Sequence, residues 1–229
     1  MPTADHALQD AYASVRATLN TAAAAAGRPV PRLLAVSKTR SADEVARLHA
    51  LGQRAFGENY VQEAAAKARQ LPGLGIEWHL IGHLQSNKAA DAARVFDWVQ
   101  SLDSPRLVAA LDRARPAGRE PLNVLVQVNV EGEPGKAGCR PEHLDALADA
   151  VAAAPNLRLR GLMSIPAPSD DPAVRRAAFA GLRTLFEHLR ERHPGIDTFS
   201  KGMSDDVELA IAEGATLVRI GTRLFGPRG

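Results

Sequence analysis

From residue 32 onward the chain repeats one pattern: a short apolar run of strand length, then a longer Ala- and Leu-rich stretch with helical periodicity. Strands that alternate with helices pair in parallel, and their helices cover both faces of the sheet, so the repetition argues against sandwiches, meanders and helical bundles. The apolar runs fall at 32–37, 54–56, 77–81, 97–102, 122–130, 157–163, 198–202 and 216–220. The fifth is the clearest, with Leu125, Val126, Val128 and Val130 nearly continuous, as a strand covered on both faces requires. The helical stretches start after Ser41, where Glu44 three residues on completes a capping box, and recur at 60–70, from about 86, at 104–115, 141–154, 172–193 and 204–213. Eight strands, each leading into a helix, predict an α/β fold of the closed (β/α)8 TIM-barrel type. No Gly-x-Gly-x-x-Gly follows the first strand, which counts against an open dinucleotide-binding sheet. A long helix over 4–26, with Leu8, Tyr12, Val15 and Leu19 at helical spacing and a stop at Gly27 and Pro29, precedes the barrel as an extra element.

Nothing rich enough in Gly, Ser or Pro divides the 229 residues, so a single domain over 1–229 is expected. Hydrophobic residues make up 45% but aromatics only 4%, so the core must be packed from small aliphatic side chains. The 28 basic and 26 acidic residues leave a net +2 with no long basic block, which argues against nucleic acid as a partner. Cys139 is the lone cysteine, so neither an intrachain disulfide nor a Cys-based zinc site can form, and a reducing cytoplasm fits. No apolar stretch reaches the roughly 18 residues that span a bilayer, and no signal peptide or membrane segment is expected.

In such a barrel the chemistry sits at the C-terminal ends of the strands. Lys38 ends the first strand in Leu-Leu-Ala-Val-Ser-Lys-Thr, where low-dielectric walls are expected to lower its pKa and free its amine to attack an aldehyde; a lysine capping a strand at the surface is the plainer alternative. The stretches Ser200-Lys201-Gly202-Met203-Ser204-Asp205-Asp206 and Arg219-Ile220-Gly221-Thr222-Arg223 each pass from a strand towards a helix. Both offer N–H groups at a helix start, with the Ser204 and Thr222 hydroxyls beside them and Gly221 allowing close approach. Together they are expected to form a phosphate cup, although Ser204 alone reads equally as an ordinary N-cap. An imine-forming lysine opposite a phosphate cup suits pyridoxal 5′-phosphate, and class I aldolases use similar parts.

Five motifs now bear on family: Leu-Leu-Ala-Val-Ser-Lys-Thr at 33–39, Phe-Gly-Glu-Asn-Tyr-Val-Gln-Glu at 56–63, Trp-His-Leu-Ile-Gly-His-Leu-Gln-Ser-Asn-Lys at 78–88, Gly-Leu-Met-Ser-Ile at 161–165, and Gly-Met-Ser-Asp-Asp with Val-Arg-Ile-Gly-Thr at 202–206 and 218–222. In order and over essentially the whole chain they resemble the YggS/PROSC family of pyridoxal-phosphate homeostasis proteins. The resemblance implies a fold-type III barrel like the N-terminal domain of alanine racemase, with the cofactor held as a Schiff base on Lys38. It implies phosphate contacts from Ser204, Gly221 and Thr222, Arg219 facing the pyridine nitrogen, and a ring pocket lined by Asn59, Met163, Ser164 and Met203. Arg219 offers only donors, so a pyridine nitrogen beside it should stay unprotonated, a poor electron sink. Racemases of this fold type are implied to rely also on a C-terminal β domain, whereas this sequence ends seven residues after Thr222. A cytoplasmic, monomeric carrier that buffers the cofactor or delivers it to apo-enzymes is therefore expected over turnover. An amino-acid racemase or lyase of the same fold is the alternative, and a cofactor-free Schiff-base aldolase a third.

The remaining candidates carry blander readings. His79 and His83 are four apart but on an extended segment, which favours core or loop histidines over a metal site. Glu58 reads as a general base or as a residue orienting Asn59. Lys136, in a glycine-rich loop without Walker spacing, reads as surface charge or a ligand contact during release, and Cys139 as an incidental thiol. Lys201 stands where the family commonly has an apolar residue: pointing outward it is harmless, pointing inward it adds a cation beside the phosphate.

Overall fold

A computed structural model describes residues 4–133, 135–167 and 169–227. Its eight strands close into one parallel barrel in sequence order. They are β1 (Arg32–Val36), β2 (Ala55–Glu58), β3 (Glu77–Leu80), β4 (Trp98–Leu102), β5 (Leu122–Gln127), β6 (Leu157–Met163), β7 (Thr198–Ser200) and β8 (Leu217–Ile220). Closure comes from β1 pairing with β8, with Leu34 opposite Arg219 and Ala35 opposite Ile220. The covering helices are α2 (Ala42–Ala50), α3 (Val61–Gln70), α4 (Ala89–Val95), α5 (Pro105–Ala114), α6 (Leu144–Ala152), α7 (Pro172–Arg192) and α8 (Val207–Ala212), preceded by α1 (Ala4–Ala25) and followed by α9 (Thr222–Phe225). The first helix packs on α8, α9 and α2, across the seam where the barrel closes.

Local chemistry sets these boundaries. Ser41 Oγ accepts the Glu44 N–H at 3.2 Å while Glu44 Oε2 accepts the Ser41 N–H at 2.8 Å, the reciprocal cap expected from the sequence. Asp171 caps α7 by accepting the Ala173 N–H at 2.8 Å. A period of two then sorts the strand residues. Outward-facing Ala35, Phe56, Val99, Val124, Val126, Leu162 and Phe199 form the main core with the helices. Inward-facing residues fill the barrel, with Leu34, Ala55 and Leu217 in one cluster and Trp98, Leu125 and Met163 in another.

Three expectations need correction. The fifth strand ends at Gln127, not at residue 130, because the chain then folds onto its own loop: Cys139 N–H bonds Gln127 O at 2.8 Å and Asn129 N–H bonds Cys139 O at 2.9 Å. The helix after β7 starts at Val207, not at Ser204, since Asp206 Oδ1 accepts the Met203 N–H at 2.6 Å and folds the intervening residues into a turn. Lys201 belongs to neither expected setting. It points away from the barrel interior yet is fully buried, its Nζ donating to Phe179 O at 3.2 Å and Glu213 O at 3.0 Å over the faces of Phe199 and Phe179. The loops expected at 131–140 and 165–171 follow β5 and β6 as anticipated, apart from Pro134 and Pro168, and Arg228 of the tail also lies outside the described residues.

Candidate functional site

A cavity of about 280 Å³ opens at the C-terminal ends of the strands, lined by Lys38 and Val36 from β1 and its loop, Asn59 after β2, Ile81 after β3, Ile165 after β6, Met203, Ser204 and Asp205 after β7, and Arg219, Gly221 and Thr222 from β8 and its loop. Lys38 reaches it because alternation along β1 turns Leu34, Val36 and then residue 38 to the barrel axis. Its side chain is half-buried and makes no hydrogen bond or ion pair with the described residues. Gly221 sits so tightly against β1 that a Cβ there would lie 3.1 Å from Val36 O and 3.2 Å from Val36 Cβ. The first turn of α9, whose N-cap is Gly221, brings its N–H groups to the same end of the barrel, and Thr222 lines the cavity there. The lining residues include the cations Lys38, Arg40 and Arg219 against the one carboxylate Asp205, so the cavity favours an anion.

Arg219 is the buried member of that set, 4% exposed. Burial draws its pKa down to about 10, with Asp206 opposing, so it stays protonated at neutral pH. It is held from below. Its Nη1 donates to Ser200 Oγ at 2.7 Å and its Nη2 to Ser164 O at 2.9 Å. Ser200 Oγ donates onward to Gln100 Oε1 at 2.6 Å, and Gln100 Nε2 donates to His79 Nδ1 at 2.9 Å. An accepting Nδ1 requires the proton of a neutral imidazole on Nε2, which lies 2.6 Å from Glu77 Oε1. Burial lowers the His79 pKa against the pull of Glu77, in keeping with that neutral form. Burial would raise Glu77, but the His79 bond and the Arg32 charge override it and hold the carboxyl at about 2. A directed chain of hydrogen bonds thus runs from the cavity floor to the opposite end of the barrel, and it fixes the guanidinium without a neutralising carboxylate next to it.

Of the residues named from sequence, Lys38, Asn59, Met203, Ser204, Arg219, Gly221 and Thr222 share this cavity. Met163 and Ser164 do not line it. Met163 is buried against Trp98 and Leu125 inside the barrel, because the strand's alternation takes it to the interior below the mouth. Ser164 is buried one residue on, with its Oγ bonded to Val128 O at 3.0 Å and its carbonyl under Arg219. His79 is a satisfied core histidine stacked on Trp98, and among the described residues no group of His, Cys, Asp and Glu is placed to hold a metal ion. Lys136 pairs with Glu133 at 2.9 Å in its own loop. Sequence reasoning missed Arg40, which donates to Gly226 O at 2.6 Å and lies over Phe225, tying the loop after β1 to the segment after α9. It also missed the pairing of Gln100 and Ser200 with Arg219, for which no local pattern exists.

Comparison with known proteins gives a consistent picture. Residues 11–229 match the family described as alanine racemase, N-terminal domain. A pyridoxal phosphate homeostasis protein of Pseudomonas aeruginosa is 55% identical over 218 residues, covering 94% of each chain, and one of Escherichia coli is 48% identical over 221 residues, again 94% of each. The solved structure of PipY from Synechococcus elongatus with PLP bound is 39% identical, covers 96% of this chain and 100% of its own, and superposes with a TM-score of 0.83.

Proposed function

The chain belongs to the family of pyridoxal phosphate homeostasis proteins, built on the alanine racemase N-terminal barrel, and from that premise we propose that it binds pyridoxal 5′-phosphate at the barrel mouth and buffers or delivers it. One observation carries the reading: a lysine at the end of β1, whose side chain has no hydrogen-bond or ion-pair partner among the described residues, and the donors Arg219, Gly221 and Thr222 at the end of β8 open on a single cavity. When bound, the cofactor supplies an aldehyde that a lysine amine can hold covalently and a phosphate that demands hydrogen-bond donors. Lys38 would provide the amine, Thr222, Gly221 and Ser204 the phosphate contacts, Arg219 the donor to the ring nitrogen, and Asn59 and Met203 the flanks of the ring. Met163 and Ser164 would act from beneath, Ser164 by steadying Arg219.

The donor set fits holding better than turnover. A guanidinium protonated up to about pH 10 leaves an adjacent ring nitrogen its lone pair, which weakens the ring as an electron store. We therefore read the protein as a carrier acting without partner subunits in the cytoplasm, with apo-enzymes as recipients, and no helix among the described residues is long and apolar enough to cross a membrane.

The test is a mass spectrum of the protein loaded with pyridoxal phosphate and reduced with borohydride. The expected adduct lies on Lys38, and Lys38→Ala abolishes both the adduct and the visible absorbance of the loaded protein. An adduct on Lys88, Lys136 or Lys201 instead overturns the assignment, and robust saturable racemisation of an amino acid overturns the carrier reading.

A further inference from the structure

Lys38 has a support that the family comparison does not assign. The residues on either side of it are both anchored, and both anchors meet at one buried ammonium. Lys67, on the inner face of α3 and 4% exposed, uses all three of its N–H donors: to Ser37 O at 2.7 Å, to Glu58 Oε1 at 2.7 Å and to Glu63 Oε1 at 2.8 Å. Glu58 Oε1 also accepts the Ser37 hydroxyl at 2.6 Å, and Glu63 Oε1 accepts the Thr39 N–H at 2.6 Å. Ser37 is thus held by its carbonyl and its hydroxyl, and Thr39 by its amide.

Thr39 itself is the second observation. With φ of 66° it is the sole non-glycine residue with positive φ among the described residues, and it is β-branched. That backbone conformation is disfavoured for such a side chain and persists only where its surroundings over-determine it. Here the surroundings are the turn bond from Arg40 N–H to Ser37 O at 3.0 Å and, on Thr39 itself, Glu63 and through it Lys67. The charges are arranged so that removing the ammonium leaves two carboxylates facing each other, one of them, Glu58, fully buried with its Oε2 already lacking a partner. Ser37 keeps its N–H bond to Gly57 O at 3.0 Å and accepts the Arg40 N–H at 3.0 Å without Lys67, so losing the ammonium loosens both sides of Lys38 together rather than freeing them.

We propose that Lys67 is a positioning residue, which through Glu58 and Glu63 fixes the backbone on both sides of Lys38 and so aims its amine into the cavity. The inference rests on the reading of Lys38 as the attachment point, but its core can be measured without the cofactor.

In ligand-free protein, amide hydrogen exchange at Thr39 is expected to accelerate about tenfold in Lys67→Met, the loss of one charge-assisted hydrogen bond. Loaded with pyridoxal phosphate, the same variant is expected to fix less of it to Lys38 after borohydride while binding inorganic phosphate as the wild type does, since the phosphate side belongs to β8. A general collapse would lose both. Should Lys67→Met fail to fold, Glu63→Ala, at a partly exposed position, removes the acceptor that holds the Thr39 N–H and is expected to show the same split. Unchanged Thr39 exchange and unchanged attachment in either folded variant overturn the proposal. If the wild type shows no adduct on Lys38, the functional reading fails, while the exchange measurement still decides whether Lys67 holds this segment.

Discussion

Arg219 Nη1 and Ser200 Oγ meet at 2.7 Å inside the barrel, from neighbouring strands, and through this contact the cavity floor is joined to Gln100, His79 and Glu77. Ser200 is donor to one side and acceptor to the other. Its removal leaves both the guanidinium and Gln100 Oε1 short of a partner at a buried position. Ser200→Ala is therefore expected to lower stability by about 1–3 kcal/mol, the penalty of unmet buried polar groups. The urea midpoint should fall, and affinity for pyridoxal phosphate should fall with it because Arg219 loses its orientation.

Lys201 gives the stability a pH dependence. Burial draws its pKa from 10.5 to about 7, outweighing the attraction of Glu213. Between those two values the unfolded chain holds a proton that the native chain does not, so stability rises with pH through that window. Below pH 7 both states are charged and the burial penalty stands in full. Lys201→Met is expected to raise the thermal midpoint at pH 6–7, less whatever the loss of the bonds to Phe179 O and Glu213 O costs, and to flatten the rise towards pH 10. A thermal-melt series across pH checks both.

Gly82 is expected to tolerate no side chain. A Cβ there would lie 2.3 Å from Asn59 O and 2.7 Å from Asn59 Cα, both backbone atoms without freedom to yield. Gly82→Ala must displace the end of β2, and Asn59 with it. Calorimetric titration should show weaker cofactor binding, together with a loss of about 1–3 kcal/mol in stability from overpacking.

Cys139 is expected to be a poor nucleophile despite being the one thiol. Burial, reinforced by Asp103, pushes its pKa up to about 11, and the side chain is 7% exposed. Native protein should react with iodoacetamide far more slowly than urea-unfolded protein at pH 8, as followed by mass.

The elements were legible where their causes are local. The capping box at Ser41 and Glu44, the Pro- and Asp-led start of α7, and the alternation that sends Lys38 to the barrel axis all lie within a few residues of each other. The sequence pattern also put Lys38 and Arg219 at one mouth, because eight parallel units leave little choice of closure. What stayed hidden depends on distant partners. His79, Gln100 and Ser200 look like scattered polar residues on apolar strands until the ring closes and makes them one chain. Lys201 looked like a surface or phosphate-side cation because nothing beside it reveals the two phenylalanine rings and two carbonyls that receive it. Ser204 looked like an N-cap because the bond from Met203 N–H to Asp206, which delays the helix, competes with capping at the same short range.

Pairing of the first strand with the last also sets an order of events in the cell. During synthesis the segment that carries Lys38 emerges well before the one that carries Arg219, and the mouth they share exists only once β8 has docked on β1. Until that closure the two sets of groups do not face one cavity, so a pyridoxal phosphate molecule would meet all of them together only on a closed barrel.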